Sequence, residues 1–234
     1  MASSFILIAS AQADDVQLID RAVLITCGGG QGTGFYTSET KVVTAAHVIE
    51  GCIDVKIENN AGVFAAATVS YVNGPRDIAV LNTAKTIAPV SLLNTSAVTP
   101  NQAVQIVGAP IAGLVLSSGK VSKIYKQDDE YNLLLDIPGD FGNSGGPVFK
   151  DGEVIGLVNA KDDYGFIYGM NAIEIEKVLK EDLEKKEDNV VTLIINNEGP
   201  LAFSILLNVL LFILSLTLII ARKKSNSRHI VINI

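Results

Sequence analysis

A serine set among glycines and a histidine closing a short apolar run are the residues of this chain best suited to nucleophilic chemistry. The block Gly142-Asn143-Ser144-Gly145-Gly146-Pro147 supplies what acyl transfer asks of a loop. It offers an exposable hydroxyl, and backbone N–H groups that glycine's freedom of φ can turn toward one point. Gly142 and Ser144 are the expected donors to an oxyanion, and Gly145, Gly146 and Pro147 fix the exit into Val148-Phe149. A serine hydroxyl needs a base at neutral pH, and imidazole suits that task best. Of the two histidines, His229 lies beyond a long apolar segment, so His47, in Thr44-Ala45-Ala46-His47, is the candidate base. A carboxylate must then orient the ring and stabilise its cation. Asp77, just before the apolar Ile78-Ala79-Val80-Leu81, is preferred over Asp54, whose alternating surroundings (Ile53 to Ile57) indicate a solvent-facing strand position.

The blocks G-T-G-F (Gly32 to Phe35), V-V-T-A-A-H-V (Val42 to Val48), R-D-I-A-V-L (Arg76 to Leu81) and G-N-S-G-G-P-V (Gly142 to Val148) resemble the trypsin-like serine proteases. The resemblance is nearest to the HtrA/Deg branch and covers roughly residues 16–180. It implies an all-β fold of two six-stranded antiparallel barrels, chymotrypsin-like, with the site in the cleft between them. It also implies a serine endopeptidase without a cofactor, in which His47 is the general base, Asp77 the orienting acid and Ser144 the nucleophile. Gly142 and Ser144 would form the oxyanion hole. Asn143 stands where digestive members carry an aspartate that pairs with a newly cut N-terminus, so activation by that ion pair is not expected. HtrA relatives usually add a PDZ domain where this chain has an apolar segment.

Substrate preference is read from the flanks. Pro138 occupies the position, six before Ser144, where trypsin-type enzymes place a pocket-floor aspartate. A cationic P1 side chain buried there without a partner would cost on the order of several kcal/mol. Asp140 reads as a rim residue. Leu157, Val158, Asn159 and Ala160 are expected to form the pocket wall. Phe166 and Tyr168 either narrow the pocket or are core or barrel-edge aromatics. A small or medium aliphatic P1 residue follows. The competing reading is a silent protease-like module that holds extended peptides.

The elements that must carry these residues are short. Apolar runs such as Ala22 to Ile25, Val104 to Val107 and Val154 to Val158 alternate with turn signals such as Asn73-Gly74-Pro75 and Lys150-Asp151-Gly152. That pattern means a sandwich or a barrel. A polar break at Ser96 to Pro100 splits it into halves of about 16–95 and 101–170 within a domain of 14–188. Ala172, Ile175, Val178, Leu179 and Leu183 then form one face of an amphipathic helix over about 172–187. Glu176 with Lys180, and Glu181 with Lys185, supply acid-before-base pairs four apart.

Leu201 to Ala221 is free of charge over 21 residues. As a helix this is about 31 Å, the thickness of a bilayer's hydrocarbon core. Arg222, Lys223, Lys224 and Arg228 follow it, whereas the preceding stalk, 189–200, carries Glu198 as its only charge. The basic tail, 222–234, belongs on the cytoplasmic side, so the expectation is a single-pass membrane protein with an extracytoplasmic domain. Residues 1–13 end in Ala11-Gln12-Ala13 and read as a short signal peptide. The expected partners are protein or peptide substrates and a lipid bilayer. A net charge of −7 leaves no basic surface for nucleic acid, and with one domain histidine no metal site is expected. Cys27 and Cys52 bracket His47 and are open to bridging or to remaining two buried thiols. These motifs do not set an oligomeric state.

Overall fold

The computed structural model describes residues 17–52, 54–110, 113–139, 141–162 and 165–196, together with Leu211. The leader expected at 1–13, Asp140, the tail and all but Leu211 of the segment 201–221 lie outside the described residues. Among the described residues no helix is long and apolar enough to cross a membrane.

Alternation of buried and exposed side chains builds the first barrel. In Val55 to Ile57, for example, the two β-branched residues are buried and Lys56 is exposed, the period-2 pattern of a strand with one face on a core. Six strands close on themselves: β1 (Ala22–Cys27), β2 (Gly30–Ser38), β3 (Lys41–Thr44), β4 (Val55–Asn59), β5 (Phe64–Asn73) and β6 (Ile78–Thr83). Their order around the barrel is β1-β2-β3-β6-β5-β4. Ile25, Phe35, Tyr36, Ile57, Ile78 and Leu81 fill its core.

The second barrel repeats the plan with β7 (Ala103–Gly108), β8 (Val115–Gln127), β9 (Glu130–Asp136), β10 (Pro147–Lys150), β11 (Glu153–Lys161) and β12 (Ile167–Asn171), ordered β10-β11-β12-β9-β8-β7. Two of its hairpins are two-residue turns. Asp128-Asp129 and Asp151-Gly152 all have positive φ, the backbone of a type I′ turn, whose twist matches that of the paired strands. Leu133, Leu135, Ile155 and Ile167 form the core. The connection between barrels is laced to both, since Ser91 N–H donates to the Tyr36 carbonyl and Asn94 N–H to that of Val154. The two closed six-stranded barrels agree with the expected fold class.

The helix α1 runs Ala172–Asn196, past the expected end near residue 187 and through most of the stalk expected at 189–200. Nothing between Asp188 and Asn196 stops a helix; the first glycine and proline are Gly199 and Pro200. The charged stretch Glu184 to Asn189 reads in the sequence as the helix's solvated end, yet charge does not end helices.

Cys27, at the end of β1, and Cys52 are bridged, with Cα atoms 5.7 Å apart. Cys52 follows the short 3-10 turn Ala46–Ile49 that carries His47. Closing a loop with a sequence separation of 25 removes unfolded-chain entropy worth about 3.5 kcal/mol in the chain-entropy picture. The double variant Cys27→Ser, Cys52→Ser is expected to lose about that much stability. A urea midpoint unchanged from that of the parent would show that the bridge constrains nothing.

Candidate active site

The first barrel delivers a histidine and a carboxylate to its rim. β3 ends at Thr44, and the 3-10 turn then presents His47 half-exposed, while its neighbours Val48 and Ile49 are buried as anchors. Asp77 lies directly before β6. Its two carboxylate oxygens divide the work: Oδ1 accepts the His47 backbone N–H at 2.9 Å, and Oδ2 lies 2.8 Å from His47 Nδ1. This pair fixes both the position of the turn and the plane of the ring. It also raises the His47 pKa above its usual value. The hydrogen bond to Asp77 is the main cause; burial opposes it, and the charges of Asp77 and Glu50 add to it. Asp54 is exposed, outside this arrangement.

Asp77 achieves this in an unusual backbone state, with φ of +50°. Aspartate tolerates the left-handed region better than most residues, yet such a residue persists only when its surroundings over-determine it. Asp77 N–H donates to the Gly74 carbonyl at 2.9 Å. From the second barrel, Asn159 Nδ2 reaches the carbonyls of Arg76 and Asp77, at 3.3 Å each. Asn159 can do so because β11 is irregular between Val158 and Ala160, and a bulge re-aims the side chain it frees.

The second barrel delivers the serine loop, which is held in turn by the first. Thr33 N–H donates to the Ser144 carbonyl at 2.8 Å. Thr33 Oγ1 donates to the Gly142 carbonyl at 2.7 Å and accepts the Ala109 N–H at 3.0 Å. Thr44 Oγ1 fixes Thr33 by donating to its carbonyl at 2.7 Å. Gly145 N–H donates to Val158 O at 2.7 Å, and Val158 N–H to Gly146 O at 2.9 Å. Glycine is obligatory at two places here. Gly142 has φ of +93°, and a Cβ there would collide with the Ala109 carbonyl; Gly145 has φ of +81°, and a Cβ there would strike Thr33 O and Thr44 Oγ1. Among the described residues, the N–H groups of Gly142 and Ser144 have no acceptor. Two unspent donors flanking a half-buried serine can stabilise a developing oxyanion.

His47, Asp77 and Ser144 line one cavity of about 390 Å³. Among the described residues no hydrogen bond joins Ser144 to His47, and such contacts are often loose before substrate arrives. Val158, Asn159 and Ala160 line the cavity as the sequence suggests, and Phe141, Asn143, Lys161 and Ile167 join them. The other expected pocket residues lie elsewhere. Leu157 is wholly in the core, and Pro138 is exposed away from the cavity lining. Phe166 is at the surface. Tyr168 donates to Asp162 Oδ2 at 2.9 Å and lines a neighbouring cavity with Tyr125 and Arg76. Alternation along β12 explains the exchange, because Ile167, between the two aromatics, is the inward residue. It packs close to Gly139, where an added Cβ would have to displace its Cδ1. Thr33, Thr44 and Arg76 had no role assigned from sequence, although Thr33 sits in the G-T-G-F block and Arg76 beside the candidate acid.

Residues 32–157 match the family model described as the trypsin-like peptidase domain. The chain is 32% identical over 169 residues to serine protease HTRA1B of Danio rerio, covering 66% of this chain and 35% of that protein. It is 30% identical over 174 residues to serine protease HTRA3 of Homo sapiens, covering 66% and 38%. The chain thus spans little more than a third of the length of these relatives. A crystal structure of the serine endoprotease from Yersinia pestis has a similar fold, with a TM-score of 0.67 at 20% identity over 73% of this chain and 65% of that one.

Proposed function

Because the chain belongs to the trypsin-like peptidase domain family, with relatives among the HtrA-type serine proteases, we propose that it is a serine endopeptidase acting through an acyl-enzyme. Ser144 is the nucleophile, His47 the general base and Asp77 the carboxylate that orients it. The observation that carries this reading is the Asp77 carboxylate gripping both the ring and the backbone of His47, in a cavity shared with a serine beside two unspent N–H donors.

The steps follow from that arrangement. His47 Nε2 takes the Ser144 proton as Oγ attacks the scissile carbonyl carbon. The Gly142 and Ser144 N–H groups bind the resulting oxyanion. His47 returns the proton to the departing amine, and water releases the acyl group by the same route in reverse. The P1 side chain enters against Val158 and Ile167, so a small or medium aliphatic residue is preferred. Substrates are exported or membrane-proximal proteins, and residues 201–221 anchor the domain outside the cytoplasm. The charge-free run and its basic flank support that topology.

A fluorophosphonate probe tests the reading. The parent protein should be labelled at Ser144 and should cleave a peptide library, and the Ser144→Ala variant should do neither. A binding-only cleft would leave both proteins unlabelled.

The pH dependence follows from His47. Catalysis needs the neutral ring, and its pKa is raised, so the acidic limb of kcat/KM should fall above the ordinary histidine value of about 6.5. The sign for stability is opposite. A raised folded pKa contributes stability that is complete below about pH 6.5 and is lost as pH rises through the folded value. Rate–pH and melting–pH curves on one preparation check both; an acidic limb below that of free histidine would contradict the assignment.

A further inference from the structure

The turn that carries Asp77 is gripped from outside the cleft by the C-terminal helix. One carboxylate of α1, Glu181, reaches both ends of that turn. Its Oε1 accepts from Arg76 Nη1 at 2.7 Å, and its Oε2 accepts from Asn73 Nδ2 at 3.1 Å and Tyr71 Oη at 3.0 Å. Asn73 holds the turn from within as well, since its Oδ1 accepts the Arg76 N–H at 3.2 Å. The next helical residue, buried Asp182, bonds Lys41 of β3 and Ser70 of β5. Arg76 also joins the barrels, with Nε 2.8 Å from Glu130 Oε1 on β9 and 3.9 Å from Glu174 Oε2 near the start of α1. Glu174, fully buried, accepts the Tyr131 N–H and pairs with Lys177. Three carboxylates therefore converge on one guanidinium adjacent to the candidate acid, whose backbone is in a left-handed state.

We propose that the Arg76–Glu181 pair makes the C-terminal helix a positioning element for Asp77, so that docking of α1 sets how the carboxylate is presented to His47. This rests on the serine protease reading given above. Ordinary helix packing would be served by the apolar face, where Ile175 and Val178 are buried. Glu181 instead places its polar contacts on the residues bounding the Asp77 turn. Arg76 is the common point: its carbonyl takes Asn159 from the cleft side, and its side chain takes Glu181, Glu130 and Glu174 from the far side. Binding of Arg76 and its partners holds the Glu181 carboxyl below its usual range; burial alone would raise it, and the hydrogen bonds from Arg76, Tyr71 and Asn73 outweigh that. Removing the cation leaves three acids facing one another, and α1 then holds only the Asn73 end of the turn.

The test uses the full chain with Glu181→Gln, Arg76→Gln, Arg76→Lys and, as a control, Glu176→Gln. Glu176 lies on the same helix and pairs only loosely with Lys180, at 3.5 Å with both side chains well exposed. Turnover is expressed per fluorophosphonate-reactive serine, which removes any unfolded fraction. The expected result for Glu181→Gln and Arg76→Gln is a kcat lower by roughly 10- to 100-fold, the scale of a displaced reacting group, with KM little changed. Arg76→Lys should recover part of the loss, and the control should match the parent.

A second readout does not need turnover. The ring of His47 is titrated by NMR, its signals separated from those of His229 by a His229→Gln variant. Asp77 and Glu50 are the acids facing His47, so a loosened Asp77 must lower its pKa toward the ordinary value. Parent-like kcat per reactive serine and a parent-like His47 titration in both Glu181→Gln and Arg76→Gln would overturn the proposal. A parent that neither labels nor cleaves would refute the protease reading alone, and the His47 titration would still judge the clamp.

Discussion

Ser144→Ala is expected to lower turnover by up to about a million-fold, while residual catalysis above water persists through the oxyanion donors and binding. The size follows from geometry. Under the proposed reading, removing Oγ deletes the nucleophile that shares the cavity with His47, and the Gly142 and Ser144 N–H groups do not depend on that side chain. Folding should be untouched, because the loop is held through the Gly142 and Ser144 carbonyls by Thr33. Equal hydrolysis by the purified variant and its parent would assign the nucleophile elsewhere.

Asp77→Asn is the second large effect, at about 10⁴-fold in kcat. Asparagine tolerates the left-handed backbone that this position needs, and its Oδ1 can still accept the His47 backbone N–H. Its amide nitrogen, however, must donate where Asp77 Oδ2 accepts. His47 Nδ1 then becomes an acceptor and the ring proton moves to Nε2, the atom that should take the serine's proton. The variant should fold, bind substrate and fail in chemistry. The remaining activity should rise through its acidic limb at lower pH, since the charge that raises the His47 pKa is gone. Stopped-flow acylation across pH checks this; a rate within tenfold of the parent's would exclude Asp77 as the orienting group.

His47, Asp77 and Ser144 were legible in the sequence because each sits in a block whose neighbours have local duties: glycines for positive φ, apolar residues that bury the flanking turn. The barrels were legible for a similar reason, since alternation and two-residue turns are written within a few positions of one another. What supports the site was not. Thr33 meets Gly142 across 109 residues, and Asn159 meets Asp77 across 82, and no local pattern reports a partner so distant. Around the start of β12 the sequence left the aromatics open between pocket and barrel edge, and the parity of the strand decides their placement. Phe166 and Tyr168 drew attention by size, but strand alternation turns Ile167 inward, and a shift of one residue exchanges the faces.

Each barrel braces the group that the other contributes: threonines of the first fasten the serine loop, and an asparagine of the second fastens the acid's turn. Under the proposed reading, such a site is assembled only when both barrels are present. While the chain is still being synthesised, the first half holds His47 and Asp77 without Ser144 or the Asn159 that braces the Asp77 turn. On the proposed reading the site is complete only once β11, one of the last strands, has brought Asn159 to the Asp77 turn.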